Sequence, residues 1–116
     1  VVVRELDADR VFAALADATR RDIVTRVLRG EASVTALARC YEMSFAAVQK
    51  HVAVLERARL VTKERRGREQ LVRGDITTVR AAGHLLEQFE RVWAGRVERM
   101  HELLAEEAEG NPEGPS

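Results

Sequence analysis

The chain has 116 residues, of which 46% are hydrophobic and only 4% aromatic, with 19 basic side chains against 19 acidic. That length bounds it to one domain whose core is Leu, Val and Ala packed between helices, and a net charge of zero excludes a uniformly basic nucleic-acid binder. A single cysteine rules out an intrachain disulfide and fits a reducing cytosol; Val1-Val2-Val3 is too short for a signal segment, no apolar run approaches a membrane span, and a cytoplasmic protein without a membrane partner is expected.

The charges are unevenly distributed. From Ser44 to Arg73 there are eight Lys or Arg against three Glu, a balance of +5, whereas from Met100 onward five Glu stand without a cation, a balance of −5. Residues 1–43 and 74–99 each balance. A positive segment and a negative end therefore share one neutral chain.

In chain order, Asp7 is a cap for a first helix whose stripe is Ala8, Val11, Phe12 and Leu15. Asp17 and Thr19 interrupt it. A second helix turns Ile23, Val24, Val27 and Leu28 inward and stops at Arg29-Gly30, with Thr19 to Asp22 resembling a capping box. Arg20 and Arg21 at its start could touch phosphate, but solvated surface is the plainer reading.

The stretch from Ser33 to Leu60 organises the rest. Val34, Leu37, Ala38 and Tyr41 share one helical face, Glu42-Met43-Ser44 breaks it, and Ser44 is positioned to cap a second helix. Val48, Val52 and Leu55 form the inward stripe of that helix; the other side carries Ala46, Lys50, Ala53 and Arg57, with Gln49 beside them. Small residues permit close approach to a partner, Gln pairs bidentately with adenine, and Lys donates to guanine or phosphate. A solvated helix face is the plainer reading of that surface on its own. The next segment bears on the choice: Leu60 to Arg73 reads as a hairpin turning at Arg66-Gly67, with Lys63, Arg65, Arg66 and Arg68 crowding its tip. A cationic hairpin after a helix-turn-helix is the layout of a winged helix.

Gly74-Asp75 opens the longest periodic segment, in which Val79, Ala82, Leu86, Phe89, Trp93, Val97, Met100 and Leu104 recur at spacings of three and four. As a helix to Glu107 it is roughly 50 Å long. That exceeds what so small a domain covers, so Leu86, Phe89, Trp93, Val97 and Met100 are expected to meet a second copy. Residues 110–116 read as a disordered tail after a domain of residues 1–109.

This order of elements resembles the ArsR/SmtB family of bacterial winged-helix repressors. The residues that carry the likeness are LADATRRDIV (Leu15 to Val24), MSFAAVQKHVAVLERARLV (Met43 to Val61) and the Gly67-Arg68-Glu69 turn. It runs from about Asp7 to Leu104, and FERVWAGRVERM (Phe89 to Met100) is similar to a metal-independent branch that often regulates its own or neighbouring genes. The resemblance implies a homodimeric, nucleoid-associated DNA-binding repressor joined through its first and last helices. Arg59 stands where many members have glycine.

Metal-sensing members place a Cys-x-Cys pair on the first helix of the helix-turn-helix, where this chain has Ser33 and Thr35. Neutral hydroxyls are poor ligands for soft metals. The alternative site on the terminal helix is missing its ligand pair between Val79 and Ala82, and His84 and His101 are seventeen residues apart. No metal and no cofactor are expected.

Three single residues stay open between packing and function. Cys40 reads as a small buried hydrophobe or, less plainly, as a redox thiol beside Arg39. His51 either packs or donates to a phosphate, and Phe45 either touches a thymine methyl or packs near Tyr41. No nucleophile-base spacing or phosphate-cradling glycine loop is present, so an enzyme is not expected.

The resulting expectation is a mainly α winged helix with a small β-hairpin wing, homodimeric, bound to a pseudo-palindromic operator on double-stranded DNA. Ala46, Gln49 and Lys50 read bases; Ser44, Phe45, His51 and Arg57 flank them; Lys63, Arg65, Arg66 and Arg68 of the wing hold the backbone or insert into the minor groove. One alternative is a sensor repressor responding to a ligand in the dimer interface or to oxidation of Cys40; the other is a protein-interaction module. The effector is left open.

Overall fold

The computed structural model describes residues 6–109; the tail expected at 110–116 lies outside them. Tertiary contacts divide the chain into two compact units, one ending at Ala82 and the other beginning at Gly83, inside the last helix.

The first unit begins with α1 (Ala8–Leu15) and α2 (Ala18–Arg29). Asp7 caps α1 by accepting from the Arg10 amide at 3.2 Å. The cap of α2 is Asp17, which has extended backbone and accepts from the Arg20 amide at 3.0 Å. The capping box expected from Thr19 is therefore displaced by two residues, because Ala18 and Thr19 are already helical. Arg20 and Arg21, expected on solvated surface, instead tie the two helices together. Arg20 donates from Nε to Ala14 O at 2.6 Å and from NH2 to Ala13 O at 3.2 Å, and Arg21 donates to Leu15 O at 2.7 Å. Those carbonyls lie in the last turn of α1, where acceptor capacity is left over even though Ala13 O also takes the Ala16 amide at 3.2 Å, which is why cations settle on them.

After the two-residue strand β1 (Ala32–Ser33), α3 (Val34–Ala38) is a short helix capped by the Ser33 hydroxyl, which accepts from Ala36 N at 3.0 Å. It ends earlier than the Val34-to-Tyr41 stripe suggested, so Cys40 lies in the turn and is exposed rather than buried. Tyr41, half-buried, reaches back to α2: its hydroxyl donates to the Asp22 carboxylate, and Arg26 lies over its ring at 5.7 Å. Burial and that hydrogen bond push the phenol up to about 12. The phenol hydrogen bond and then Arg26 hold the Asp22 carboxyl below its ordinary value.

The next helix, α4 (Phe45–Arg57), begins at Ser44, whose hydroxyl accepts from Ala47 N at 3.1 Å. It ends in a Schellman turn: Leu60 N donates to Leu55 O at 3.0 Å and Arg59 N to Glu56 O at 2.9 Å. Leu55 and Leu60, both buried, supply the apolar contact that accompanies this motif. Arg59 takes the left-handed residue of the turn, φ 62°. A Cβ there costs about 1 kcal/mol relative to glycine.

Strands β2 (Val61–Arg66) and β3 (Glu69–Gly74) form the hairpin, and β1 adds to the other edge of β3, giving the order β1-β3-β2. Arg66 pairs with Glu69, so the turn is Gly67-Arg68, one residue later than expected. Gly67 supplies the positive φ of 65° that its first position needs. At the other end of β3, a Cβ on Gly74 would sit 2.5 Å from Leu28 Cδ2 and 3.2 Å from its Cα.

The core joins Val11 and Ala14, Ile23, Val24 and Val27, Val34 and Leu37, and the Val48, Val52, Leu55 stripe with Leu60, Val61, Val72 and Ala82. Two expected members are displaced. Phe12 is 36% exposed because α1 buries the Val11–Ala14 edge instead; Leu28 is 40% exposed, its inner edge closed by Gly74.

The helix α5 (Ile76–Glu109) is 34 residues, longer than the expected end at Glu107. Asp75 opens it, accepting from Thr77 N at 3.0 Å. Among the described residues no helix is long and apolar enough to cross a membrane. Within the second unit the apolar stripe is open: Leu86, Phe89, Trp93 and Met100 are exposed, with Val97 partly covered. Arg96 lies over the Trp93 ring at 5.8 Å.

Candidate nucleic-acid interface

Because Val48, Val52 and Leu55 fix the rotation of α4, the first two turns present Ala46, Gln49 and Lys50 to solvent. Phe45, at the first helical position, is 46% exposed and does not join the core. Ser44 is committed to its cap, so its part is to aim the start of the helix. His51 is half-buried and faces inward, with Nδ1 3.3 Å from Arg20 NH1. Since the guanidinium can only donate, Nδ1 accepts. Arg57 lies on the same helical line as Ala46 but three turns further along, beside Arg10, Ala13 and Arg20. It belongs to the end of α4 that meets α1, away from Gln49.

The wing cations separate by strand face. Lys63 is bound to Glu56 of α4 at 3.5 Å. Arg66 points the other way, to Glu31 at 3.6 Å and Glu64 at 3.5 Å, where Arg73 also reaches Glu31 at 2.6 Å and Glu64 at 3.3 Å. The Arg73 hydrogen bond, then the charge of Arg73 and Arg66, holds the Glu31 carboxyl below its usual range. Arg65 and Arg68 have no carboxylate within 4 Å among the described residues, nor does Lys50. Both line a shallow recess of about 200 Å³ with Phe45, Gln49 and Gln70, Glu69 at its rim. Thus of the four wing cations expected at the tip, two share a surface with the recognition-type helix and two brace the hairpin.

Comparison with known proteins agrees with this geometry. The family described as Helix-turn-helix domain matches residues 15–64. The chain is 36% identical over 101 residues to the HTH-type transcriptional regulator Rv2034 of Mycobacterium tuberculosis, covering 87% of this chain and 92% of that one. An ArsR-like transcriptional regulator from Rhodococcus sp. RHA1 superposes with a TM-score of 0.73 at 30% identity, covering 83% of this chain and 91% of that structure. The chain belongs to the ArsR family of winged-helix transcriptional regulators. A further neighbour, Mb0332 from Mycobacterium bovis, described as a homodimeric winged helix-turn-helix DNA-binding domain, superposes with a TM-score of 0.57 at 26% identity, covering 81% and 85%.

Family membership makes the chain a regulator rather than an enzyme. At the positions where metal-sensing members carry thiolates, Ser33 is the α3 cap and Thr35 lies exposed on that helix. Among the described residues no three His, Cys, Asp or Glu side chains gather as a metal site. Cys40 Sγ points back to Ala36 O at 3.5 Å. Sequence reasoning missed Arg20, Glu31, Glu56, Glu64 and Arg73, the residues that orient α4 and the wing. Arg20 and His51, 31 positions apart, and Glu31 and Arg73, 42 positions apart, meet only through the fold. Glu56 finds Lys63 across the helix-to-strand turn, and Glu64 finds Arg66 along one strand face. The i, i+2 alternation of Glu64 and Arg66 is the signal that could have found that pair.

Proposed function

We propose that this ArsR-family regulator is a cytoplasmic homodimeric repressor that occludes a pseudo-palindromic operator without a metal. The observation that carries the reading is the shared surface of Gln49, Phe45, Arg65 and Arg68. In it, Gln49 and Lys50 read base edges, Ala46 allows close approach, and Phe45 meets a thymine methyl. Arg65 and Arg68 hold the backbone or enter the minor groove. Lys63 and Arg66 keep the wing in place; Ser44 and His51 orient the helix.

The dimer reading is supported by the open stripe of Leu86, Phe89, Trp93, Val97 and Met100, by exposed Phe12 on α1, and by the homodimeric neighbour. Two α4 helices then enter successive major grooves about 34–36 Å apart.

The test is footprinting on the DNA upstream of the protein's own gene, with and without a chelator. Two protected half-sites one helical turn apart, insensitive to chelation, are expected. Gln49→Ala changes the preference among operator variants by about 1–3 kcal/mol. If Gln49→Ala binds every operator variant as the parent does, the base-reading assignment is refuted.

A further inference from the structure

At the opposite end of α4 from Gln49 lies a groove of about 470 Å³. That is within the size range of small-ligand clefts, about 300–1,000 Å³. Its walls are the start of α1, the Schellman turn that ends α4, and the first turns of α5. Arg59, the left-handed residue of that turn, lines it together with Arg57 and Arg10. A glycine would hold the turn with less strain, so the sequence retains an arginine at the one described non-glycine position where its backbone is disfavoured.

The charges in the groove select the ligand. Asp7 and Asp75 also line it, each serving as the cap of its helix, and Asp7 lies 3.5 Å from Arg10. Arg57 and Arg59 have no carboxylate within 4 Å among the described residues. Three arginines against two aspartates leave one positive charge, which matches a monoanion; a dianion would face two carboxylates with its second charge unmatched. Thr77 and Thr78 bring to the same groove hydroxyls with no hydrogen bond among the described residues, and half-buried Leu6 and Ala81 give it an apolar part.

We propose that this groove binds a small organic monocarboxylate, its carboxylate held by Arg57 and Arg59 and its apolar body against Leu6 and Ala81. The planar fork of arginine suits a carboxylate because two parallel N–H donors meet two oxygens. Because Arg57 to Arg59 terminate the helix that carries Gln49 and Lys50, such a ligand is an effector of DNA binding, a consequence that rests on the function proposed above. Ligand binding itself is read on the protein alone, so the two ideas fail separately.

The experiment titrates the isotope-labelled full chain with benzoate and with octanoate, following backbone amide shifts, with benzamide as the neutral control. Saturable shifts are expected at Arg10, Arg57 to Arg59, Thr77 and Thr78 with at least one carboxylate and not with benzamide. Arg59→Gly keeps the turn, since glycine favours that backbone, and weakens the carboxylate at least about tenfold. Arg57→Gln does the same. No saturable shift with either acid up to about 10 mM, equal shifts with benzamide, or unchanged binding in Arg59→Gly overturns the proposal.

Discussion

The division of the wing cations makes the salt dependence of operator binding a quantitative test. Each phosphate neutralised by a Lys or Arg contributes about 0.9 to the slope of log K against log salt. With all four wing cations engaged, a dimer neutralises eight phosphates, giving a slope of about −7. With only the uncommitted Arg65 and Arg68, it neutralises four, and the slope is about −4. The pair energies alone would not immobilise Arg66, because exposed ion pairs are worth about 0–1 kcal/mol. Strand alternation does: Arg66 lies on the face of β2 shared with Glu64, opposite the face of Arg65. Fluorescence anisotropy on one operator, at several salt concentrations, reads the slope for the parent, Arg68→Ala and Arg66→Ala. Arg68→Ala is expected to reduce its magnitude by about 2 per dimer, and Arg66→Ala to leave it unchanged. A parent slope of about −7, or an Arg66→Ala loss equal to that of Arg68→Ala, refutes the reasoning.

Three further outcomes follow from the fold. Ser44→Ala removes the α4 cap and is expected to cost about 1 kcal/mol, read as a fall in Tm of roughly 4–8 °C by circular dichroism. Gly74→Ala drives a Cβ toward Leu28, including its backbone Cα at 3.2 Å, and is expected to destabilise by about 1–3 kcal/mol in urea unfolding. For the Tyr41–Asp22 pair, the lowered carboxylate contributes stability present above its unfolded value of 3.8 and lost as pH falls through its folded value. The raised phenol contributes stability present below 10 and lost as pH rises toward about 12. Tyr41→Phe therefore flattens both limbs of the stability profile. As the chain's single tyrosine, Tyr41 also titrates visibly by ultraviolet absorbance; in Asp22→Asn its midpoint falls only part of the way to 10, because burial, the larger cause, remains.

What the sequence made legible was what depends on neighbours three or four apart. Ser44 announced α4 because a hydroxyl before an apolar 3.6-residue period has one efficient use, and Val48, Val52 and Leu55 then fixed which side faces out. Gly67 located the hairpin within one residue, the error coming from the register that pairs Arg66 with Glu69. The strand β1 was illegible because two residues carry no alternation; only the edge of β3 makes Ala32-Ser33 a strand. Cys40 was misplaced by the same cause in reverse, since the stripe through Tyr41 has helical spacing but the chain leaves the helix after Ala38. Tyr41 buries itself through the turn, drawn to Asp22.

The net charge hides a sharper division than the count of +5 between Ser44 and Arg73 suggested. Of those eight cations, Lys63, Arg66 and Arg73 are matched by Glu56, Glu31 and Glu64, and Arg57 and Arg59 line the groove at the far end of α4. In the proposed function three remain for DNA, and non-specific binding depends on such charges because phosphate attraction carries no sequence information. So few free cations are expected to keep attachment to random duplex weak, leaving discrimination to the α4 side chains proposed to read bases. Raising the cation count should then cost specificity: Glu69→Lys at the rim of the recess is expected to strengthen binding to operator and to random DNA alike, lowering their ratio in competition assays. A variant that gained affinity for the operator alone would mean that the recess itself reads sequence.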